Sequence, residues 1–208
     1  MQIISSFWLV YVVFLGALMS PGPDLLVTLK HSLSYSVRSG IFAAAGIAMG
    51  VIVHVAYCMA GIGLLISHSV ILFNIIKICG AGYLVYIGIM SLRSKGMDLS
   101  VVAEQGAPVK SDRQSFISGF VTNVFNPKAT MFFLALFSQM LQPGLPVSWQ
   151  IGFAFVCVLT AFIWFSLVSV VTGFERFRRV YQRLSKGIDR VFGAFFIALG
   201  AKLAFARI

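Results

Sequence analysis

Ser39 to Ile76 reads SGIFAAAGIAMGVIVHVAYCMAGIGLLISHSVILFNII, 38 residues without one Asp, Glu, Lys or Arg. A bilayer's hydrocarbon core takes about 20 helical residues to cross, so this run holds two crossings and a tight turn. It shows no period-2 alternation, which a barrel strand would need, and backbone amides in hydrocarbon must bond within their own segment; α-helix is the spanning element left. A second uncharged run, 129–174, repeats the signal over 46 residues. The whole chain agrees. Of its 208 residues 59% are apolar and 11% charged, against about 45–50% and about 25% in soluble domains, and mean hydropathy is +0.95. This excludes a cytosolic enzyme, a disordered segment and a secreted disulfide scaffold. Cys58, Cys79 and Cys157 stand alone in apolar runs without a CxxC and read as inert, membrane-buried thiols.

Working outward gives an all-α polytopic membrane protein with six predicted spans: Ile3–Ser20, Ile41–Ile66, Val70–Leu92, Phe116–Leu141, Val147–Thr172 and Ile188–Phe205. The apolar N-terminal stretch has no basic lead-in, so it reads as a retained span rather than a signal peptide. Net charge is +10, and its placement carries the information. Lys30 and Arg38 follow span one. Arg93, Lys95, Lys110 and Arg113 follow span three. Arg176, Arg178, Arg179, Arg183, Lys186 and Arg190 follow span five. The turns 67–69 and 142–146 hold no Lys or Arg. The positive-inside rule then puts the three basic loops in the cytoplasm and both termini outside; Lys202 and Arg207 vote the other way and are outweighed. Residues 94–113 form a cytoplasmic linker between half-repeats of about 1–93 and 114–208, within one transporter domain. Three spans per half make the halves inverted relative to each other, a common transporter plan.

Two motifs interrupt the helices. Pro21-Gly22-Pro23-Asp24 closes span one: the prolines remove donors and clash with the preceding turn, while Pro23 suits the first position of a new helix and Asp24 its first turn. The bland reading is a helix-ending turn at the membrane surface. Asn123-Val124-Phe125-Asn126-Pro127-Lys128 sits in the middle of span four, where Asn126 is a good N-cap and Pro127 a good first residue. Lys128 lies about a dozen residues from either end of its span, so a partner or cavity is expected for it. Its bland reading is a lysine reaching the interface beside a harmless kink. Interruptions in the first span of each half are the best sequence pointer to a transporter's binding site.

Taken with Arg38-Ser39-Gly40, Gly46, Gly50, Gly61-Ile62-Gly63-Leu64-Leu65, Gly80-Ala81-Gly82-Tyr83-Leu84, Tyr86, Gly88, Phe116, Gly119 and the Ile188-Asp189-Arg190 to Gly193 to Gly200 pattern, these motifs carry a resemblance over nearly the whole chain. The sequence resembles the LysE/RhtB family of bacterial amino-acid exporters, in the branch with homoserine and threonine efflux proteins. The resemblance implies a multi-span bacterial inner-membrane exporter driven by the proton-motive force, and leaves the substrate open.

The residues expected to bind substrate or couple transport are Asp24, Asn123, Asn126 and Lys128, with Pro21, Gly22, Pro23 and Pro127 making the breaks. A zwitterion's carboxylate suits a helix N-terminus and an ammonium at Asn126–Lys128; its ammonium would compete with a proton for Asp24. His54 and Asp189 are candidate proton relays, although a lone membrane histidine is more often a bonded packing residue and Asp189 is expected to pair locally with Arg190. Lys77 can snorkel to the outer face. Gly46 and Gly50 make a smooth helix face, either internal or a homo-oligomer contact. Tyr83, Tyr86, Phe132, Phe133 and Trp164 read as packing more than ligand-stacking. No P-loop, HExxH or carboxylate cluster is present, so neither a cofactor nor a metal is expected, and the positive charge is read as topology rather than nucleic-acid binding. The expected partners are an amino-acid substrate, protons and the bilayer. The alternatives are an exporter of basic amino acids or amino-acid-like metabolites, a membrane-embedded enzyme, or a scaffold.

Overall fold

The computed structural model describes residues 2–68, 70–96, 110–140 and 146–205, with the side chains of 2–7, 9–10, 61–68, 70–73, 76–77 and 135–140 outside the description. These residues form eight α-helices and no strand: α1 Gln2–Met19, α2 Pro23–Ser34, α3 Val37–His68, α4 Val70–Leu92, α5 Asp112–Val124, α6 Pro127–Met140, α7 Val147–Val171 and α8 Glu175–Phe205. Among them, Val37–Ala60 and Val147–Val171 are each long and apolar enough to cross a bilayer. The pair Tyr11–Met19 and Pro23–Ser34, bent by 50°, makes a third if counted as one span, and Ile78–Leu92 is a shorter apolar helix. The turn at Ser69, most of the 94–113 linker, the 142–145 turn, the Lys77 side chain and Arg207 lie outside the described residues.

Exposure supports a lipid environment. Along α7, Ile151, Phe155, Leu159, Ile163, Leu167 and Val170 all face outward. A soluble helix would turn polar residues that way; this one is apolar on its outer stripe as well as its inner one, which suits hydrocarbon. The inner stripe, Phe153, Cys157, Ala161, Phe165 and Val168, joins Phe14, Leu25, Leu29, Ile47, Val51, Phe132 and Phe133 in the core.

Helix α3 is the hub, packed against α2, α5, α6 and α7, while α4 packs along α8. The α3–α5 approach depends on glycine. A methyl on Gly46 would run into the Phe116 carbonyl, one on Gly119 into the Ala43 carbonyl, and one on Gly50 into the Asn123 side chain. The Gly46/Gly50 face, expected as an internal or oligomer contact, is thus covered within the chain by α5.

Three element boundaries differ from expectation. Helix α8 starts at Glu175, so the six basic residues placed in a loop before span six ride on a continuous helix; five of them are arginines, which have good helical propensity. Helix α3 starts at Val37 and runs to His68, beyond the predicted span Ile41–Ile66 at both ends. Helix α5 starts at Asp112, because Ser111 accepts from Gln114 N at 3.2 Å while Gln114 Oε1 accepts from Ser111 N at 2.9 Å, a capping box. Cys58 and Cys157 are buried and Cys79 is exposed on the bundle surface; all three are free thiols.

Candidate functional site

The two interruptions meet. Helix α1 ends at Met19, and Ser20 N donates to the Gly16 carbonyl at 2.9 Å. Pro21 and Gly22 carry the chain across, and α2 begins with Pro23 in its first turn. Gly22 is fully extended, a conformation open to any residue; what asks for glycine is space, since a Cβ there would lie 3.3 Å from both Cδ and Nζ of Lys128. In the other half, α5 ends at Val124 and α6 begins at Pro127. Asn126 caps α6, its Oδ1 accepting from Lys128 N at 3.0 Å.

Each break satisfies the other. The Lys128 ammonium donates to the carbonyls of Ser20 at 3.0 Å and Pro21 at 3.2 Å. These lie at the C-terminal end of α1, where carbonyls lack helical partners and the dipole favours a cation. Asp24, in the first turn of α2, accepts at Oδ2 from Asn123 Nδ2 at 2.9 Å and Asn126 Nδ2 at 3.0 Å. The acid of the first break is held by amides of the second, and the base of the second by carbonyls of the first. Asp24 and Lys128 are thus neighbours across one site without forming an ion pair.

A cavity of about 40 Å³ opens here. At about 10–15 Å³ for each water position, it takes a few waters and is too small for an amino acid as it stands. Phe14, Phe132, Phe133 and Phe165 wall it on the apolar side; Ser20, Asp24, Asn123, Asn126 and Lys128 line it on the polar side. Three buried oxygens of its lining residues have no partner: Ser20 Oγ, Asp24 Oδ1 and Asn123 Oδ1. Two of them only accept, so the arrangement is matched to an incoming donor such as an ammonium.

The other expected residues are placed as follows. His54 is fully buried beside the site and bonds Asn123 O through Nε2 at 2.9 Å and the Tyr57 hydroxyl through Nδ1 at 2.7 Å. Asp189 is not among the residues lining the cavity; it is buried on α8 with Oδ2 unpartnered, within electrostatic reach of Lys128. The expected local pair with Arg190 does not form: Arg190 is exposed while Asp189 turns inward. Among the described residues no group of His, Cys, Asp or Glu is arranged to hold a metal.

Sequence reasoning passed over Ser20, Tyr57 and a second polar layer. Tyr57 was legible as the i+3 neighbour of His54 on one helix face. Ser20 directly precedes the first proline. The second layer ties α2 and α3 to α5 and α7. His31 Nδ1 pairs with Ser39 Oγ at 2.9 Å, Ser39 Oγ with Ser115 Oγ at 2.8 Å, and Ser32 Oγ donates to Ser169 O at 2.6 Å. At its rim Arg38 forks onto Asp112, Nη2 to Oδ2 at 2.7 Å. Scattered serines carry no periodic signal, so this layer appears only in three dimensions.

Comparison with known proteins adds a family likeness. A family model described as LysE type translocator matches residues 15–207. A threonine efflux protein of Escherichia coli K12 is 33% identical over 203 residues, covering 97% of this chain and 98% of that protein. A homoserine/homoserine lactone efflux protein of Salmonella typhimurium is 30% identical over 210 residues, with 97% and 98% coverage. No solved structure matches.

Proposed function

The chain belongs to the LysE family of translocators, and from that premise we propose that it is a secondary exporter of small neutral amino acids, threonine- or homoserine-like, working by proton antiport in a bacterial inner membrane. The observation that carries this reading is the cavity between the ends of α1 and α5 and the starts of α2 and α6, whose lining residues bring three orphaned oxygens and an ammonium together. A substrate ammonium would be taken by Asp24 Oδ1, Asn123 Oδ1 and Ser20 Oγ. Its carboxylate would be taken by Lys128 at the positive end of α6, and its short side chain would rest on Phe14, Phe132 and Phe133. Lys128 must leave the Ser20 and Pro21 carbonyls to do this, and the cavity must enlarge, so binding and opening are one event.

Asp24 would serve proton and substrate by turns. Substrate loading inside expels the proton, and protonation from outside expels the substrate. Each charge moved draws about 2.3 kcal/mol per 100 mV from the membrane potential. The proposed frame is six spans in two inverted halves: α1–α2 with α3 and α4, and α5–α6 with α7 and α8. The packing of α3 on α7 and of α4 on α8 supports it, since each pair joins equivalent positions of the two halves. In this frame the basic ends, including the start of α8, face the cytoplasm.

The test is counterflow of radiolabelled threonine and homoserine in proteoliposomes, with and without a pH gradient. Accumulation that depends on internal unlabelled substrate, and net efflux that rises with the gradient, are expected. Absence of counterflow with neutral amino acids, or uptake only of basic ones, would overturn the substrate assignment.

A further inference from the structure

His54 was singled out as a candidate proton relay, and its surroundings assign it another task. Residue 127 is proline and has no N–H, so the carbonyl four residues before it, that of Asn123, lacks the donor a continuous helix would give it. Asn126 N reaches that carbonyl from three residues on, at 3.0 Å. The remaining donor comes from α3: His54 Nε2 lies 2.9 Å from the same oxygen. A carbonyl can only accept, so Nε2 donates to it, and Nδ1 pairs with the Tyr57 hydroxyl, 2.7 Å away. The His54 ring also stacks on Phe133 of α6, with centroids 5.5 Å apart and planes 8° from parallel.

One helix thus holds both sides of the break, with His54 Nε2 on the last turn of α5 and the His54 ring stacked on Phe133 of α6. The residue whose carbonyl His54 holds is the residue whose side chain holds Asp24. Both ring nitrogens are engaged away from the carboxylate. We infer that His54 is a positioning residue that supplies the hydrogen bond Pro127 cannot make, and so fixes Asn123, and through it Asp24, at the angle the site requires. The inference builds on the proposed transport site for its functional consequence, but its structural half stands apart from any substrate.

The experiment has two arms. The first is a stability cycle in detergent with His54→Phe, Pro127→Ala and the double variant. Phe keeps the ring stacked on Phe133 and cannot donate. Alanine at 127 restores an N–H to the Asn123 carbonyl. The unfolding constant is expected to rise about five- to tenfold for His54→Phe in the parent chain, and by less in the Pro127→Ala background, where the Tyr57 bond is lost but the Asn123 carbonyl keeps a donor. An equal rise in both backgrounds would overturn the inference whether or not the protein carries threonine.

The second arm is threonine exchange. His54→Phe is expected to raise the half-saturation concentration about tenfold with the pH profile of exchange unmoved, the titratable neighbours Tyr57 and Asp24 being unchanged. His54→Gln, whose amide can still donate to Asn123, is expected to restore most of the affinity. A shifted pH profile in His54→Gln would mean that the ring itself moves protons. Equal losses in His54→Gln and His54→Phe would mean that the Asn123 bond is not what matters. If His54→Phe fails to fold, His54→Leu, which likewise cannot donate, takes its place in both arms. If wild-type protein does not exchange threonine, the stability cycle still decides.

Discussion

Asn126 does two jobs with one side chain, and substitutions can separate them. Its Oδ1 caps α6 on Lys128 N, and its Nδ2 holds Asp24 Oδ2 at 3.0 Å. The side chain is buried, so both bonds are made away from bulk solvent. Loss of an N-cap costs about 1 kcal/mol. The bond to Asp24 joins α6 to α2; interhelical bonds in membranes average about 0.6 kcal/mol with a ceiling of about 1.7 kcal/mol, and a carboxylate acceptor pushes toward the upper end. Asn126→Ala loses both, about 2–3 kcal/mol together. Asn126→Ser keeps a cap and is too short to reach Asp24, so it loses about 1–2 kcal/mol. Reversible unfolding in mixed micelles reads the difference, since about 1.4 kcal/mol is tenfold in the unfolding constant. Both variants are expected to weaken threonine exchange alike, because both loosen Asp24. Equal destabilisation by Ser and Ala, or a loss below about 0.5 kcal/mol for Ala, would refute the division of labour.

Pro127→Ala gives α5 a route to continue into α6; the protein is expected to fold at least as well as the parent and to lose export, and normal export would make the break dispensable. Gly119→Ala drives a methyl at the Ala43 carbonyl and is expected to cost about 1–3 kcal/mol, whereas Gly152→Ala, with nothing within 4 Å, is expected to be neutral or stabilising; a thermal-shift series distinguishes them. In a cysteine-free version, single cysteines at Ser69 and Gln142 are expected to react with an impermeant maleimide on intact cells and one at Gln105 is not. The opposite pattern would overturn the orientation and the inverted halves with it.

Much of this arrangement is legible in the sequence because it depends on residues with few alternatives. Two uncharged runs leave helices as the spanning element, and prolines at 21, 23 and 127 mark helix boundaries since they cannot donate. Asp24, Asn123, Asn126 and Lys128 stand out as polar groups beside those prolines in an otherwise apolar chain. What the sequence hides is pairing. Asp24 and Lys128 read as partners by charge, yet each bonds to the other break's amides or carbonyls, because an unsatisfied helix end nearby is as demanding as an opposite charge. Asp189 reads as an ion-pair member beside Arg190, but helical neighbours point some 100° apart, and one is buried while the other is exposed. The start of α8 reads as loop because its charges exclude it from a membrane span, although its amphipathic period is the most pronounced of the eight helices. The His54 bond to Asn123 joins residues 69 positions apart, and no local pattern announces it.

The central claim is that Asp24, at the junction of the two broken helices, takes substrate ammonium and proton in alternation. Asp24→Asn tests it most directly, because the amide keeps the size of the side chain while losing its charge and its proton. In proteoliposomes loaded with labelled threonine, the account predicts that this variant loses efflux driven by a pH gradient and keeps some exchange against unlabelled threonine, which needs no net proton movement. Gradient-driven efflux by Asp24→Asn at the parental rate, with the parental pH dependence, would contradict it.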